Sequence, residues 1–550
     1  MREIVHSRIK IPVISAIEKK TGLRPDSILL EKPKNIAFGD YSTNIAMVFA
    51  RKTKSDPKRL AEEVRKSIMK HDRDKFFSRI EIAGPGFINF FISEISVVET
   101  VNRHVNSDDF ISFPEAKMLP VIIEFVSANP TGPLHVGHGR GAAFGDSLAR
   151  ILRFSGRRVM TEYYVNDVGT QIEVLGRSLF LRYLELMGLE VEFPQDHYKG
   201  EYLKEIAREV KERVGDKYLN DGGGTPEFFP NYGKERILKD IKEDLEYFNV
   251  TIDNWFLETD LYKSNEVLNS IGILDEKGYL YEDEGALWFR STDFGDEKDR
   301  VVVRANGQNT YFASDIAYHR NKAKRGFAEM IDILGADHHG YVPRLQAAVR
   351  SLGIDKEALK IILVQFVNLI KDGVSVSMST REGQFETLRD VLNEVGSDAA
   401  RFFYLMRNAN SHLDFDLDLA KKESADNPVY YVQYAHARIC SILREARERG
   451  IHLPDILSVN GLTTEDDLEM MKKILEFRDV LEDAAAFLEP QRIPFYLIDL
   501  ARMFHSYYNR FRFIGEDQDI TMNRLALAIG IRKVVSQGLA LIGVSAPERM

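Results

Sequence analysis

The sequence contains very little cysteine, since Cys440 is the only one in 550 residues. A single thiol cannot form an internal disulfide or a zinc site built from several cysteines. Long apolar runs are missing as well, and no stretch of about 18 apolar residues is present to span a bilayer. The charged start M-R-E-I-V-H-S-R-I-K leads into no uninterrupted apolar segment, so we expect no secretory signal. These absences favour a cytoplasmic protein with no membrane partner.

The sequence also lacks an excess of basic charge. Its net charge is −10, and an acidic protein attracts the phosphate backbone of a nucleic acid only weakly. The charge is unevenly distributed, with +5 in residues 1–110, −12 in residues 111–424 and −3 in residues 425–550. A nucleic acid held by electrostatics should therefore contact the first segment. A solvated charged surface would explain the same distribution.

The chain is long enough for several domains, because single hydrophobic cores stop growing at roughly 250–300 residues. Residues 1–110 alternate helix-like and strand-like patterns and predict a small α/β domain. Residues 111–370 predict a doubly wound, Rossmann-like domain with a charged, glycine-containing insertion at about 175–290. Residues 371–424 connect it to a wholly helical domain at 425–550. The predicted fold class is thus multi-domain α/β with an all-α carboxy-terminal domain.

The Rossmann-like prediction rests on residues 121–165. The run V-I-I-E-F-V at 121–126 is typical of a buried strand. Pro130 and Pro133 place the next segment in a loop, and helical spacing follows it. A second strand-like run, R-V-M-T-E-Y-Y-V, ends at residue 165. Strand, loop, helix and strand form a βαβ unit, which implies a parallel sheet.

Three later runs are predicted to continue this alternation. They are D-R-V-V-V-R at 299–304, M-I-D-I-L-G at 330–335 and I-I-L-V-Q-F at 361–366. From about residue 425 onward, strand-like runs no longer occur.

The loop S-A-N-P-T-G-P-L-H-V-G-H-G-R-G at 127–141 contains His135 and His138, for which three interpretations compete. The pair could hold a metal together with Asp337, His338 and His339. The two histidines could equally be polar loop residues without a function. A loop between a strand and a helix amino terminus also favours phosphate, with Gly137 exposing backbone and the imidazoles donating hydrogen bonds. The loop matches no P-loop and fits the dinucleotide fingerprint poorly.

The segment H-V-G-H at 135–138 resembles the HIGH signature of class I aminoacyl-tRNA synthetases. Its frame, I-E-F-V-S-A-N-P-T-G-P-L-H-V-G-H-G-R-G, resembles the arginyl-tRNA synthetase family in particular. Y-F-A-S-D-I-A-Y-H and G-A-D-H-H-G-Y resemble active-site strands of that family. Further similar segments are I-A-F-G-D-Y-S-T-N-I-A, G-P-G-F-I-N-F, E-V-G-S-D-A-A-R-F-F, Y-V-Q-Y-A-H-A-R and the final G-V-S-A-P-E-R-M. The resemblance therefore covers essentially the whole chain, and the order of the motifs makes it specific.

This resemblance implies ATP-dependent ligation of L-arginine to its cognate tRNA. Arginine would attack the α-phosphate of ATP to form arginyl-adenylate and pyrophosphate, and the arginyl group would then pass from the adenylate to the terminal ribose of tRNA, which forms an ester and releases AMP. Such chemistry needs positioning and charge neutralisation more than a protein base. The implied partners are ATP with Mg²⁺, L-arginine and arginine tRNA, for a cytoplasmic monomer. The implied ATP site comprises His135, Gly137, His138, Asp337, His338, Met378 and Ser379, with the two histidines stabilising the transition state.

The guanidinium group of arginine demands a buried carboxylate, because only a paired contact offsets its desolvation. Glu124 lies in an otherwise apolar strand, where a lone acid is costly, although a solvent-facing strand position would also explain it. The resemblance adds Tyr311 and Asp315 to a guanidinium pocket, while a surface turn is the alternative for both. It also implies contacts of the remaining arginine atoms with Ser127, Asn129 and His135.

One segment departs from the family pattern. Class I enzymes carry a mobile KMSKS loop whose second lysine meets pyrophosphate, whereas the matching segment here is S-M-S-T-R, Ser377 to Arg381. Thr380 occupies the position of that lysine. We hypothesise that Arg381 supplies the missing positive charge, with Lys371 or magnesium as helpers. A solvated loop arginine is the alternative.

Aromatic and basic residues alternate in F-H-S-Y-Y-N-R-F-R-F at 504–513, which includes Tyr508 and Arg510. Unstacked tRNA bases could stack on such rings, and guanidinium groups could meet phosphates. Core packing of an amphipathic helix explains the same spacing, and Tyr430 and Tyr434 raise the same two alternatives. By resemblance, the helical domain holds the anticodon. The loop with Phe38, Gly39 and Tyr41 in the basic first domain would contact the outer corner of the tRNA.

Two rival functions remain open on sequence alone. The first is a metal-dependent nucleotide hydrolase that uses His135, His138, Asp337 and His338 as ligands. The second is a non-catalytic RNA-binding relative, which the altered S-M-S-T-R segment would explain.

Overall fold

The computed structural model of the protein describes residues 1–107, 120–219, 224–376, 386–515 and 517–550. The elements of its first unit are α1 (Arg2–Thr21), β1 (Tyr41–Thr43), α2 (Ile45–Thr53), α3 (Pro57–His71), β2 (Phe77–Ala83), β3 (Phe87–Ile92) and α4 (Glu94–Asn106). The three strands form an antiparallel sheet in the order β1-β3-β2. This unit is the small α/β domain that the sequence predicts at the amino terminus.

The central unit begins with the predicted strand, loop and helix. Its elements up to residue 257 are β4 (Val121–Glu124), α5 (Val136–Phe154), β5 (Val159–Val165), α6 (Thr170–Leu186), α7 (Glu201–Val214), α8 (Phe228–Tyr247) and β6 (Asn254–Leu257). β4, β5 and β6 pair in parallel. β6 lies inside the stretch at about 175–290 that the sequence predicts as an insertion, so the central sheet takes up part of that stretch.

A second, smaller sheet follows before the chain returns to the central one. The elements of this region are α9 (Glu258–Lys263), α10 (Glu266–Glu276), β7 (Leu280–Asp283), β8 (Ala286–Phe289), β9 (Arg300–Val303) and α11 (Tyr311–Lys324). β7, β8 and β9 pair antiparallel. The prediction that D-R-V-V-V-R continues the parallel alternation is therefore wrong, because β9 belongs to this separate sheet. Y-F-A-S-D-I-A-Y-H likewise forms helix α11 and not a strand.

The central sheet is completed by β10 (Glu329–Gly335) and β11 (Leu359–Val364), which flank α12 (Val342–Ser351). All five strands are parallel, in the order β11-β10-β4-β5-β6. Successive strands spread from β4 in one direction through β5 and β6, and the later strands β10 and β11 lie on its other side. The order thus reverses between β4 and β10, and the carboxyl ends of these strands open the crevice where such sheets bind ligands.

The remaining elements connect the central unit to a helical unit. They are β12 (Val367–Lys371), β13 (Val374–Ser375), α13 (Leu388–Val395), α14 (Ser397–Tyr404), β14 (Leu413–Asp416), α15 (Leu417–Ala420), α16 (Pro428–Glu448), α17 (Glu465–Phe487), α18 (Arg492–Arg510) and α19 (Gln518–Leu541). The described residues after β14 contain helices and no strand, as predicted. No helix in the described parts of the chain combines the length and apolar character needed to cross a bilayer.

The first unit packs on α17 of the helical unit through polar contacts. Tyr41 is only 4% exposed, and its hydroxyl donates to the carboxylate of Asp479. Lys472 of the same helix pairs with Asp40 at 2.7 Å. These contacts fix the loop before β1 against the helical unit.

Gly145 of α5 lies against the ring of Phe125, directly after β4. A Cβ at Gly145 would lie 2.3–2.6 Å from that ring. We expect Gly145→Ala to lower the free energy of unfolding in urea by about 1–3 kcal/mol through overpacking. Gly141→Ala on the same helix is the matched control, because no atom lies within 4 Å of its added Cβ. Equal losses in both variants would contradict this packing argument.

Candidate active site

The two histidines of the H-V-G-H loop cap the first turn of α5. The Nδ1 atom of His135 accepts from the backbone N–H groups of Gly137 and His138, at 3.1 and 3.4 Å. The Nδ1 atom of His138 accepts in turn from the backbone N–H of His135 at 3.2 Å. The two rings stack, with their centroids 3.6 Å apart. Because both Nδ1 atoms accept hydrogen bonds, the proton of each neutral ring lies on Nε2.

Burial keeps both imidazoles neutral at physiological pH. It lowers the pKa of His138 to about 3, and the neighbouring His135 adds to this effect. Burial also lowers the pKa of His135, although the carboxylate of Asp337 opposes the shift. The loop therefore combines two neutral imidazoles, protonated on Nε2, with the positive end of the α5 dipole, and it carries no imidazolium charge.

The segment after β10 forms a short 3₁₀ helix, Ala336–Tyr341, at the same edge of the sheet. Asp337 lies close enough to His135 to influence the pKa of that histidine. The side chains of Asp337 and His338 are both more than half exposed and stand 3.6 Å apart. The structure thus brings the two segments of the predicted ATP site to one crevice.

Glu124 ends β4, is only 8% exposed and is not the lone acid that the sequence suggests. Its Oε2 atom accepts from the Nζ atom of Lys322 at 2.6 Å, and Lys322 is fully buried on α11. The premise of an uncompensated charge at Glu124 is therefore wrong. The sequence could not reveal this ion pair, since 198 residues separate its partners.

The backbone that follows Glu124 is strained. Val126 and Ser127 have φ values of 69° and 40°, in the left-handed region that a β-branched residue such as valine rarely occupies. This turn brings the hydroxyl of Ser127 to the Oε1 atom of Glu124, to which it donates at 2.9 Å. The same hydroxyl oxygen accepts from the backbone N–H of Tyr164 at 3.1 Å. The strained turn thus places the Ser127 hydroxyl where its hydrogen bond holds one carboxylate oxygen of Glu124.

Tyr311 and Asp315 lie one turn apart on α11, so both can face the same pocket. The carboxylate of Asp315 accepts from the hydroxyl of Tyr341. Burial raises the pKa of Asp315 to about 6; the Tyr341 hydroxyl opposes this shift, and the charge of Glu124 adds to it. Tyr311 is 52% exposed, at the open end of this pocket. Asp315 is therefore a partly buried acid, and among the described residues no cation is bonded to its carboxylate.

Glu258 is an acid of this pocket that sequence reasoning missed. It is the first residue of α9, directly after β6, and only 2% of its surface is exposed. Burial raises its pKa to about 7; hydrogen bonds from Ser314 and Tyr164 oppose the shift, and the charge of Asp315 adds to it. One sequence signal could have found Glu258: like Glu124, it stands where a strand of the central sheet ends.

Other predicted site residues have defined partners. Asn129 donates from Nδ2 to Oε1 of Gln171 at 2.7 Å. Lys371, the predicted helper of the S-M-S-T-R segment, pairs with Glu394 at 3.0 Å. Met378, Ser379 and Arg381 lie outside the described residues.

The chain that follows S-M-S-T-R returns to the H-V-G-H loop. Thr387 forms a β-bridge with His135. The backbone N–H of Leu388 donates to the carbonyl of Leu134 at 2.7 Å. The chain at Thr387 and Leu388 is therefore held against the loop that carries the two histidines.

Aromatic residues of the helical unit form a partly exposed stack. The rings of Tyr430 and Tyr434 lie 6.1 Å apart and nearly parallel. The guanidinium of Arg438, which sequence reasoning missed, lies 4.6 Å from the ring centres of both Tyr434 and Tyr508. Arg510 pairs with Asp466 at 2.8 Å, which compensates its charge.

The three residues predicted to contact tRNA from the first unit differ in exposure. Phe38 is 50% exposed and can meet a partner. A Cβ at Gly39 would lie 2.6 Å from the carbonyl oxygen of Phe90, and its φ is 91°, so this glycine serves the fold. The prediction for Tyr41 is wrong, because its buried side chain binds Asp479 of α17 and offers no surface to RNA.

A parallel sheet whose order reverses beside an H-V-G-H loop, joined to a helical unit, defines a class I aminoacyl-tRNA synthetase. The family model of the class I (R) tRNA synthetase catalytic domain matches residues 104–433. The models of the arginyl tRNA synthetase N terminal domain and the DALR anticodon binding domain match residues 7–92 and 432–550. The chain belongs to the arginyl-tRNA synthetase family.

Similar proteins match over nearly the full length. The arginine–tRNA ligase of Syntrophotalea carbinolica is 51% identical over 95% of both chains. That of Desulfosudis oleivorans is 48% identical over 100% of both chains. The solved arginyl-tRNA synthetase of Thermus thermophilus is 22% identical, with a TM-score of 0.79 over 100% of both chains, which supports the fold.

Proposed function

We propose that the crevice between β4 and β10 is where this arginine–tRNA ligase activates its amino acid. The reaction consumes ATP, passes through arginyl-adenylate and pyrophosphate, and ends with arginine esterified to tRNA and AMP released. The observation that carries this location is the pair of neutral, stacked histidines at the α5 amino terminus, beside a pocket that contains uncompensated acids.

The phosphates of ATP bind at the α5 amino terminus. His135 and His138 donate from Nε2 as charge develops on the phosphate oxygens, and the exposed backbone at Gly137 lets the nucleotide approach. Asp337 and His338 face the nucleotide from the other strand end, and Met378 and Ser379 complete its site. Mg²⁺ enters with ATP as part of that substrate. Among the described residues, no group of three His, Cys, Asp or Glu side chains is arranged to hold a metal.

The substrate arginine extends from Glu124 at one end to the pair of acids Asp315 and Glu258 at the other. Asp315 and Glu258 receive the guanidinium, because both are buried and neither is bonded to a lysine or arginine of the described chain. Tyr311 closes the open end. Glu124 receives the α-ammonium, since Ser127 and Lys322 orient its carboxylate at the end of β4. Asn129 and His135 contribute the remaining contacts.

The affinity for arginine is expected to rise about tenfold from pH 6 to pH 8. The pKa of Glu258 is raised to about 7, so its ionised fraction grows over this range, and only the carboxylate pairs with a guanidinium. Arginine titrations by calorimetry at several pH values, in buffers of different ionisation enthalpy, should also detect a released proton near pH 7.

The Glu258→Gln variant should lose most of the rise between pH 6 and pH 8. Asp260→Asn is the matched control, because Asp260 is exposed on the same short helix. A wild-type affinity that falls as the pH increases would exclude Glu258 from the guanidinium contact.

Arg381 supplies the positive charge that the S-M-S-T-R segment lacks at Thr380. Arg381→Ala is expected to slow pyrophosphate exchange by about 10²-fold, the usual loss when one group that stabilises transition-state charge is removed. Lys371→Ala is the control, since Glu394 already pairs with that lysine. Unchanged exchange and aminoacylation in Arg381→Ala would refute the assignment.

The tRNA contacts both ends of the molecule. Residues 425–550 hold the anticodon, with bases stacked on Tyr430, Tyr434 and Tyr508. Arg438 and Arg510 lie close enough to meet phosphates. Residues 1–110 contact the outer corner of the tRNA through Phe38 and their basic charge. Residues 111–370 with the connecting segment 371–424 carry the catalysis. The enzyme acts as a cytoplasmic monomer, because a single chain supplies every site residue.

A further inference from the structure

Lys322 bridges the two strands between which the active-site crevice opens. It is fully buried near the carboxyl end of α11. Its Nζ atom donates to Glu124 of β4 at 2.6 Å and to Asp332 of β10 at 2.8 Å. A buried ammonium persists only when it is paired and hydrogen-bonded, and here both conditions are met.

The ion pairs continue beyond Lys322. The second oxygen of Asp332 lies 2.8 Å from Nε2 of His319, and Nδ1 of His319 lies 2.8 Å from the carbonyl oxygen of Asp315. A carbonyl only accepts, so Nδ1 carries a proton, and Nε2 carries another because it faces a carboxylate. Positive and negative groups therefore alternate through Glu124, Lys322, Asp332 and His319, and their formal charges cancel.

This balance separates two kinds of acid in the pocket. The charges of Glu124 and Asp332 are paired with Lys322 and His319 inside the protein. In the described parts of the chain, no lysine or arginine is bonded to the carboxylates of Asp315 and Glu258, which leaves these two acids for a cationic substrate. Glu124 is also held on both oxygens, since Ser127 donates to Oε1 and Lys322 to Oε2. A carboxylate accepts about four hydrogen bonds, so lone pairs remain for a third donor.

We propose that Lys322 is a positioning residue for amino-acid binding, which holds the carboxylate of Glu124 in place to receive the α-ammonium of the substrate. Lys322 itself does not touch the substrate. This proposal rests on the function proposed above, in which arginine binds between Glu124 and Asp315. Without Lys322, the carboxylates of Glu124 and Asp332 would repel each other and Glu124 would lose the donor that holds its Oε2 atom. A displaced Glu124 could no longer pair with an ammonium group.

Lys322→Met and Lys322→Arg in the full-length enzyme test the proposal. The KM values for arginine and for ATP are measured separately by pyrophosphate exchange with tRNA present. We expect Lys322→Met to raise the KM for arginine by about 10- to 100-fold, the usual effect of losing a hydrogen bond to a charged group. The KM for ATP should stay within about twofold, because the phosphates bind at α5. Lys322→Arg should restore most of the arginine affinity, since its fork reaches two carboxylates.

A second pair of variants tests the proposal even if Lys322→Met alone fails to fold. Lys322→Met leaves Glu124 without its lysine and Asp332 with His319 alone, whereas Lys322→Met combined with Asp332→Asn also removes the charge of Asp332. The double variant and Asp332→Asn alone differ only at Lys322, so the ratio of their KM values for arginine isolates its role. A ratio near one overturns the proposal, as does an equal rise in the KM values for arginine and ATP.

Glu124→Gln separates failure of this proposal from failure of the proposed function. An unchanged KM for arginine in Glu124→Gln would mean that Glu124 does not bind the substrate, which refutes the proposed arrangement of arginine. A raised KM in Glu124→Gln, with no effect in the Lys322 variants, would refute the role of Lys322 alone.

Discussion

Asp315→Asn is expected to lower kcat/KM for arginine by about 10²- to 10³-fold. The substitution keeps the size of the side chain and removes only its charge. Removal of one partner from a buried, hydrogen-bonded charge pair costs about 2–5 kcal/mol, mostly because the other charge is left unpaired. In the proposed arrangement that charge is the guanidinium of the substrate, and the carboxylate of Asp315 also accepts from the hydroxyl of Tyr341.

The measurement is arginine-dependent pyrophosphate exchange with tRNA present, at saturating ATP. Tyr341→Phe is the graded comparison, because it removes the hydroxyl that donates to Asp315 and leaves the carboxylate. Its loss should be about tenfold or less, as expected for a single neutral donor. If Tyr341→Phe cost as much as Asp315→Asn, orientation of α11 and not the charge of Asp315 would determine binding.

His135→Asn is expected to slow adenylate formation by about 10²- to 10³-fold, the usual loss on removal of one preorganised donor to developing charge. Asparagine was chosen because it is a good helix N-cap. It can replace the hydrogen bonds that Nδ1 of His135 accepts from Gly137 and His138. It cannot place a donor where Nε2 of the imidazole lies.

The test compares single-turnover rates and thermal denaturation for His135→Asn and His135→Ala. Both should be slow, but only alanine should also lower stability, by ~1 kcal/mol, through loss of the cap. Because burial keeps both imidazoles neutral, lowering the pH from 8 to 6 should change the wild-type single-turnover rate little through these rings. A fast His135→Asn enzyme would leave the loop with a purely structural role.

Residues near one another in the sequence were predicted well. The strand before residue 126, the loop to Gly141 and helix α5 follow from local rules for proline, glycine and apolar spacing. A contiguous motif also keeps His135 and His138 together in any fold that contains this helix. The hydrogen bond from Ser127 to Glu124 also lies within one short stretch of the chain, although the sequence predicts for Ser127 a contact with arginine and not this bond.

Residues that meet across the fold were predicted poorly. Lys322 and Glu258 come from helices that pack on the sheet far along the chain, and no local pattern links them to Glu124. The family resemblance implies an RNA contact for Tyr41, as part of a loop in the basic first domain. Its neighbour Asp479 lies 438 residues away, and this distant acid makes Tyr41 a packing residue.

The sequence by itself determined the fold class, the order of the motifs and the family, because motif order and spacing are properties of the chain. The tertiary structure alone decided the environment of the charged groups: Lys322 pairs with Glu124, no lysine or arginine of the described chain is bonded to the carboxylates of Asp315 and Glu258, and burial lowers the pKa of both histidines. The reason is physical, since ionisation depends on burial and on distances of a few ångströms between charges. These distances are set only when distant segments pack together.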